Sequence, residues 1–350
     1  MDKLTTNRKY DAYCGKDIAF DFAASYILEH TSGEGASAPK VAVVSDRIVS
    51  GYYYNRFENQ FIERGIKPVL VPVECKESGK SLSAVETVFR YINDGDYGRD
   101  DWIIALGGGG VGDVAAFVAG TIDSGIRLMS VPTTLCGMTE VCVSGKAFLN
   151  CGSRKDQISV RTEPDVVLAD PSFLSNLPQE AKFNGYASVI RYSILEDINL
   201  MLKLSDPGNL REYLNDIYAA RTEIEKKNPL LLTLGNEIAA AIEGYFRFMN
   251  YSEGEALALS LLASVDERRR TPMKRIYEAL GLPVMLQGVS GKMIMKNLRE
   301  QIGRMGQRME IVDFIESDGG LWEVREVDRQ EALEILGKRL SVISDWENNT

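Results

Sequence analysis

Along the first half of the chain, apolar and polar positions switch between two periods. The runs VAVVSD (41–46), KPVLVPV (67–73), WIIALGG (102–108) and RLMSVPTT (127–134) are short and β-branched, and predict strands. Between them, GYYYNRFENQFIERG (51–65) and SAVETVFRYIND (83–94) place apolar residues at helical spacing. An earlier stretch, FDFAASYILEH (20–30), predicts a helix that ends at His30. Strands alternating with helices of this length indicate βαβ units and a parallel sheet.

From about residue 171 the pattern changes. DPSFLSNLP (170–178) reads as a turn and capping segment. Five helical patterns follow, QEAKFNGYASVIRYSILED (179–197), NLREYLNDIYAARTEIEKK (209–227), LGNEIAAAIEGYFRFM (234–249), GEALALSLLASVDERRR (254–270) and PMKRIYEALGL (272–282). The one strand pattern among the later residues is MEIVDFIE (309–316). The expected organisation is an α/β domain over 1–170 and a mainly helical domain over 171–350.

Composition narrows the class. The 350 residues are 45% hydrophobic and 26% charged, enough for a sizeable core in a globular chain. The net charge of −10 argues against a nucleic-acid or anionic-membrane partner. No apolar run reaches the length of a membrane helix, and the first residues hold no apolar signal segment. The 5 cysteines, odd in number and without a C-x-x-C pair, suggest a reduced cytoplasm. A single histidine, His30, sits at a helix end where positive charge suits the dipole, so any chemistry must proceed almost without imidazole.

The strongest local signal is ALGGGGVGDVAAFVAG (105–120). A strand runs into Gly107–Gly110 and then into a helix carrying Asp113. Glycine lets the backbone approach a ligand closely, and the helix start offers N–H groups to a pyrophosphate. A tight strand–helix turn would also place glycines here. Val-Pro-Thr133-Thr134 adds two hydroxyls at a strand end, and Glu77-Ser-Gly-Lys80-Ser81 adds an acid suited to ribose hydroxyls. Further on, TTLCGMTEVCVSGKAFLNCGSRKDQ (133–157) carries Glu140, Lys146 and Lys155 on a background of small and apolar residues, read as a loop that can hold a phosphorylated substrate or as a solvated charged surface.

Taken in order, Glu77-x-x-Lys80-Ser81, the glycine run with Asp113, Val131-Pro-Thr-Thr-Leu135, Ser144-Gly-Lys146 and Asp170-Pro-Ser-Phe-Leu-Ser-Asn-Leu-Pro178 resemble the 3-dehydroquinate synthase family of sugar phosphate cyclases. The resemblance runs from about residue 40 to about residue 290. It implies a nucleotide-binding α/β domain followed by a helical domain, NAD as cofactor, a small anionic substrate and a homodimer. Carried onto matching positions, it implies cofactor contacts at Asp46, Glu77, Lys80, Gly109, Gly110, Asp113, Thr133 and Thr134. The catalytic positions it implies are Glu140, Lys146, Lys155, Arg191, Asn236 and Glu253.

The catalytic half departs from the family's pattern. The family holds a divalent metal with one glutamate and two histidines. The glutamate position is Ser188, the first histidine position is Asn236 and the last is Glu253, while a further histidine of the same helix is Ala240. This set is poor for zinc, which wants N and S donors or several carboxylates, so no metal is expected; weak binding of Mg2+ or Ca2+ by Glu253 with Glu237 is the alternative. Asp156 stands where the family has asparagine, Arg191 where it has lysine, and Ser124 where it has an arginine serving the neighbouring subunit. The expectation is a metal-independent, NAD-dependent enzyme of cyclase or lyase type acting on a small, phosphorylated sugar or polyol. Two alternatives stay open: a non-catalytic partner or regulator, and a polyol dehydrogenase.

Overall fold

The computed structural model describes residues 1–31, 38–74, 79–151, 154–204, 210–246, 249–304, 306–315 and 321–345. The chain divides into two compact units, Met1–Leu177 and Pro178–Thr350.

The first unit is built on β1 (Asp2–Lys3), β2 (Asp11–Cys14), α1 (Ile18–Asp21), α2 (Ala23–Glu29), β3 (Val41–Asp46), α3 (Arg47–Ile62), β4 (Val69–Val73), α4 (Leu82–Asp94), β5 (Trp102–Gly107), α5 (Gly109–Thr121), β6 (Arg127–Pro132), α6 (Leu135–Thr139), β7 (Lys146–Cys151), β8 (Arg154–Arg161) and β9 (Val166–Ala169). Seven strands form one sheet in the order β1-β2-β9-β6-β5-β3-β4. All pairs are parallel except β1 with β2. Every residue of β3 and of β5 is buried, as expected of parallel strands covered on both faces. Helix α5 turns Val111, Val114, Ala115 and Val118 inward, and α4 turns Val85, Val88 and Ile92 inward, onto a core that includes Val71, Ile103 and Leu149.

The chain goes from β3 to β4 at one edge and then returns past β3 to β5. That reversal opens a crevice at the carboxyl ends of β3 and β5, the usual ligand position in sheets of this type. Asp46 ends β3 and Gly107 ends β5, so both border it.

Two expectations are corrected here. The stretch 20–30 is not one helix: the N–H of Ala24 donates to Gln60 Oε1 at 3.1 Å, while Gln60 Nε2 donates to the Ala19 carbonyl at 2.8 Å. A side chain inserted into the ladder separates α1 from α2. The segment read as a loop over 133–157 contains α6 and most of a hairpin, in which Lys146 pairs with Arg161 and Leu149 with Ile158. Ala147 and Leu149 alternate inward on β7, a signal masked by the charged residues around them. His30 ends α2 as expected, stacked on Tyr26 with ring centroids 3.9 Å apart.

The expected boundary at 170/171 falls on a buried residue. Asp170 accepts N–H groups from Asp17, Ala19 and Ser172 at 3.0–3.3 Å, and Phe173 packs 5.4 Å from the Phe20 ring. Both anchor the turn at 171–176 to the first unit.

The second unit contains α7 (Gln179–Leu195), α8 (Asn199–Lys203), α9 (Leu210–Lys227), α10 (Asn236–Tyr245), α11 (Glu253–Ser264), α12 (Glu267–Leu280), α13 (Gly291–Ile302), β10 (Arg308–Ile315), β11 (Leu321–Asp328) and α14 (Arg329–Ile343). Helix α11, apolar all round, is buried from Ala256 to Ser264. The expected strand near 309–316 is β10, and its antiparallel partner β11 carries no clear strand pattern in the sequence because its alternation is filled with charges. Those charges pair across the hairpin, Arg325 with Asp313 at 2.8 Å and Arg308 with Glu326 at 3.0 Å.

Candidate functional site

The glycine turn is packed too tightly for larger residues. A Cβ on Gly107 would lie 2.5 Å from Val111 Cγ2, and one on Gly109 would lie 2.9 Å from Val141 Cγ2. Gly108 is the N-cap of α5, and Gly109 and Gly110 are its first residues. The first intrahelical N–H bond is that of Gly112 to the Gly108 carbonyl at 3.1 Å, so the N–H groups of Gly109, Gly110 and Val111 precede the helical ladder. This is the arrangement that receives a pyrophosphate.

Beside it, Thr133 is buried and its N–H donates to the Gly107 carbonyl at 2.8 Å, joining the ends of β5 and β6. Thr134 caps α6, its Oγ1 accepting the Gly137 N–H at 3.1 Å. Asp46 caps α3, with Oδ1 accepting the N–H groups of Ile48 and Val49 at 2.8 and 3.0 Å. These side chains therefore have structural work independent of any ligand. Glu77 lies outside the described residues.

Lys80 and Asp113, named separately as cofactor contacts, are partners. Lys80 Nζ lies 2.8 Å from Asp113 Oδ2 and 2.8 Å from Asp156 Oδ1. Asp113 Oδ1 accepts the Phe148 N–H at 3.0 Å. Burial pushes the Asp113 carboxyl up to about 6, against the opposing pull of Lys80 and the Phe148 N–H. The place of Asp156 in this cluster was missed, since 76 residues separate it from Lys80. Cys142 is buried near Ser130, its thiol pushed up to about 12, so it is no nucleophile at neutral pH.

Glu140, half-buried, joins the end of α6 to a 3-10 turn over 141–143. Lys146 opens β7 and is exposed, whereas Lys155 lies near the Cys151–Arg154 pair by the turn. The two lysines thus sit toward opposite ends of the hairpin.

In the second unit, Asn184 links α7 to the start of α11. Ser188 Oγ donates to the Asn184 carbonyl at 3.3 Å, and the N–H of Gly254 donates to Asn184 Oδ1 at 2.8 Å. Glu253 is the exposed first residue of α11, where the dipole favours acid. Glu255 is held in a capping box with Ser252. Asn236 and Ala240 are both exposed, one turn apart on α10. Arg191 is buried in α7 and donates from Nη1 to the Leu232 carbonyl, tying α7 to the turn that leads into α10. Glu237 is half-buried; desolvation raises its carboxyl, opposed by Arg339 and Arg191 nearby. Among the described residues, no three histidine, cysteine or carboxylate side chains are grouped to hold a metal ion.

These arrangements fit a nucleotide better than a metal. The glycine cradle is intact, whereas the donor set at 188, 236 and 253 is a buried hydroxyl, an exposed amide and an exposed carboxylate.

Comparison with known proteins identifies the family. The family model for 3-dehydroquinate synthase, N-terminal, matches residues 70–184. A 3-dehydroquinate synthase of Acidithiobacillus ferrooxidans is 30% identical over 303 residues, covering 79% of this chain and 81% of that one. One from Clostridium kluyveri is 26% identical over 318 residues, covering 85% and 88%. Among solved structures, a 2-deoxy-scyllo-inosose synthase complexed with carbaglucose-6-phosphate, NAD+ and Co2+ superposes with a TM-score of 0.76 at 19% identity, covering 96% of this chain and 99% of that one. This last likeness is one of fold.

Proposed function

Because the chain belongs to the 3-dehydroquinate synthase family, we propose that it is an NAD-dependent enzyme of cyclase or lyase type that works without the family's metal, on a small phosphorylated sugar or polyol. The observation that carries this reading is a contrast between sites. The glycine cradle with Asp113 and Lys80 is retained and ordered, while positions 188, 236 and 253 hold Ser, Asn and Glu.

NAD would supply a reversible hydride acceptor. The chain's part is to bind and orient. The N–H groups at the start of α5, with Thr133 and Thr134 beside them, would receive the cofactor's pyrophosphate. Lys146 or Lys155, which sit toward opposite ends of the β7–β8 hairpin, offers an ammonium group to the anionic end of the substrate. Glu140, Glu237 and Glu253 are the carboxylates available as base; Glu237 is favoured because it is half-buried beside Arg191, where desolvation raises its carboxyl. Arg191 is the fixed cation near it, suited to stabilising charge that develops on a substrate oxygen. A homodimer of the 38.8 kDa chain in a reduced compartment belongs to the same reading.

Calorimetric titration of chelator-stripped protein with NAD+, beside an Asp113→Asn control, tests the cofactor. Micromolar binding that the control weakens at least tenfold is expected. No binding at millimolar NAD+ would remove the redox function and favour a non-catalytic partner. Metal analysis of the purified protein tests the other half: one retained equivalent of zinc or cobalt would defeat metal independence.

A further inference from the structure

Among the described residues, the Lys80 cluster contains one ammonium and two carboxylates, and these differ in access. Lys80 and Asp113 keep only 10% and 4% of their side chains exposed, whereas Asp156 keeps 46%. A ligand reaching Lys80 from solvent therefore meets Asp156 first. Asp156 is also held in place from its own hairpin. Its backbone is left-handed, φ 53°, a conformation that aspartate tolerates better than most residues. Its N–H donates to Asn150 Oδ1 at 3.0 Å, and the Asn150 N–H donates to the Lys80 carbonyl at 2.7 Å. The backbone that aims the carboxylate at Lys80 is thus bonded to the residue that is itself bonded to Lys80.

We propose that Asp156 is a specificity-determining residue: it excludes a phosphate or carboxylate from Lys80 and presents a carboxylate acceptor to a hydroxyl of an uncharged, polyol part of the ligand. The exclusion follows from charge, since the ammonium is already matched by two carboxylates and an incoming anion adds a third negative group. A hydroxyl instead donates to the Asp156 carboxylate, a charge-assisted bond. The polyol half of the proposal rests on the function proposed above. The anionic end of the ligand is then left to groups other than Lys80.

Inorganic phosphate is the first probe, because it requires no knowledge of the substrate. Wild type and Asp156→Asn, which keeps the shape and an oxygen for Lys80, are titrated calorimetrically in moderate salt. The variant should bind phosphate at least tenfold more tightly, and the gain should vanish in Lys80→Met/Asp156→Asn. If that double variant does not fold, acetylation footprinting decides: phosphate should protect Lys80 from acetic anhydride in Asp156→Asn and not in wild type. Equal phosphate affinity in folded wild type and Asp156→Asn overturns the exclusion, as does a gain that survives loss of Lys80. Glucitol, an uncharged polyol, should bind several-fold more weakly to Asp156→Asn, and unchanged or tighter binding overturns the hydroxyl role. NAD+ titration of the same proteins separates the two readings: if NAD+ binds neither, the proposed function fails, while the phosphate comparison still decides whether Asp156 guards Lys80.

Discussion

Helices α5 and α10 both start from a glycine, and they have kept different things. At α5, Gly108 is the N-cap in an extended conformation, and the inward polar residue one turn on, Asp113, is buried and paired. At α10, Gly235 has φ 91°, and a Cβ there would lie 3.2 Å from Leu257 Cδ1 and from Ser260 Oγ. Ser260 Oγ donates to the Gly235 carbonyl at 2.7 Å, so the entry into α10 is well fixed. Yet the positions that follow, Asn236 and Ala240, are exposed and hold no strong metal donor. Packing preserves a helix start whatever its surface carries. A coordination set has no such protection, because each exposed donor can change without disturbing the core beneath it.

The sharpest way to probe the packing side of this comparison is Gly254→Ala. A Cβ there would lie 2.3 Å from the Asn184 nitrogen and the Phe183 carbonyl carbon, backbone atoms that cannot yield without moving α7 away from α11. Destabilisation of about 3 kcal/mol is expected from such overpacking, read as a lower denaturation midpoint. An unchanged midpoint would mean that the two helices are not locked there.

A gain of function probes the chemical side. Asn236→His with Ala240→His places two imidazoles one turn apart on an exposed face. The double variant should bind Ni2+ or Zn2+ at least tenfold more tightly than wild type, seen as a metal-dependent rise in melting temperature. No gain would show that the two positions do not share a face.

The smallest effect concerns the pairing that α5 kept. Asp113 titrates from an ordinary value of 3.8 to about 6 in the fold. Between these values the folded chain binds the extra proton, so stability falls as pH rises through that window and the loss is complete above about 6. The stability difference between wild type and Asp113→Asn should therefore shrink in wild type's disfavour from pH 4 to 6 and level off beyond. A difference independent of pH would show that the fold leaves the Asp113 carboxyl at its ordinary value.

The sheet was legible because parallel strands buried on both faces leave unbroken apolar runs, as in VAVV and WIIAL. The glycine turn was legible for a related reason: only glycine fits where Val111 and Val141 press on the backbone. The β7–β8 hairpin was not, because lysine, asparagine and aspartate occupy its outward positions and disguise the inward Ala147 and Leu149. Nor was the break between α1 and α2, which depends on Gln60 from α3.

By itself, then, the sequence determined the α/β class, the alternation of β3 to β6 with α3 to α5, and the residue types at the glycine turn and along α10, since these are set by local periodicity and by steric limits within a few residues. Tertiary structure alone decided that Lys80 sits between Asp113 and Asp156, that Asn184 of α7 bonds the Gly254 N–H of α11, and that Asn236 and Ala240 face solvent. Charge pairing and exposure depend on distances between segments far apart in the chain, and those distances exist only once the elements have packed.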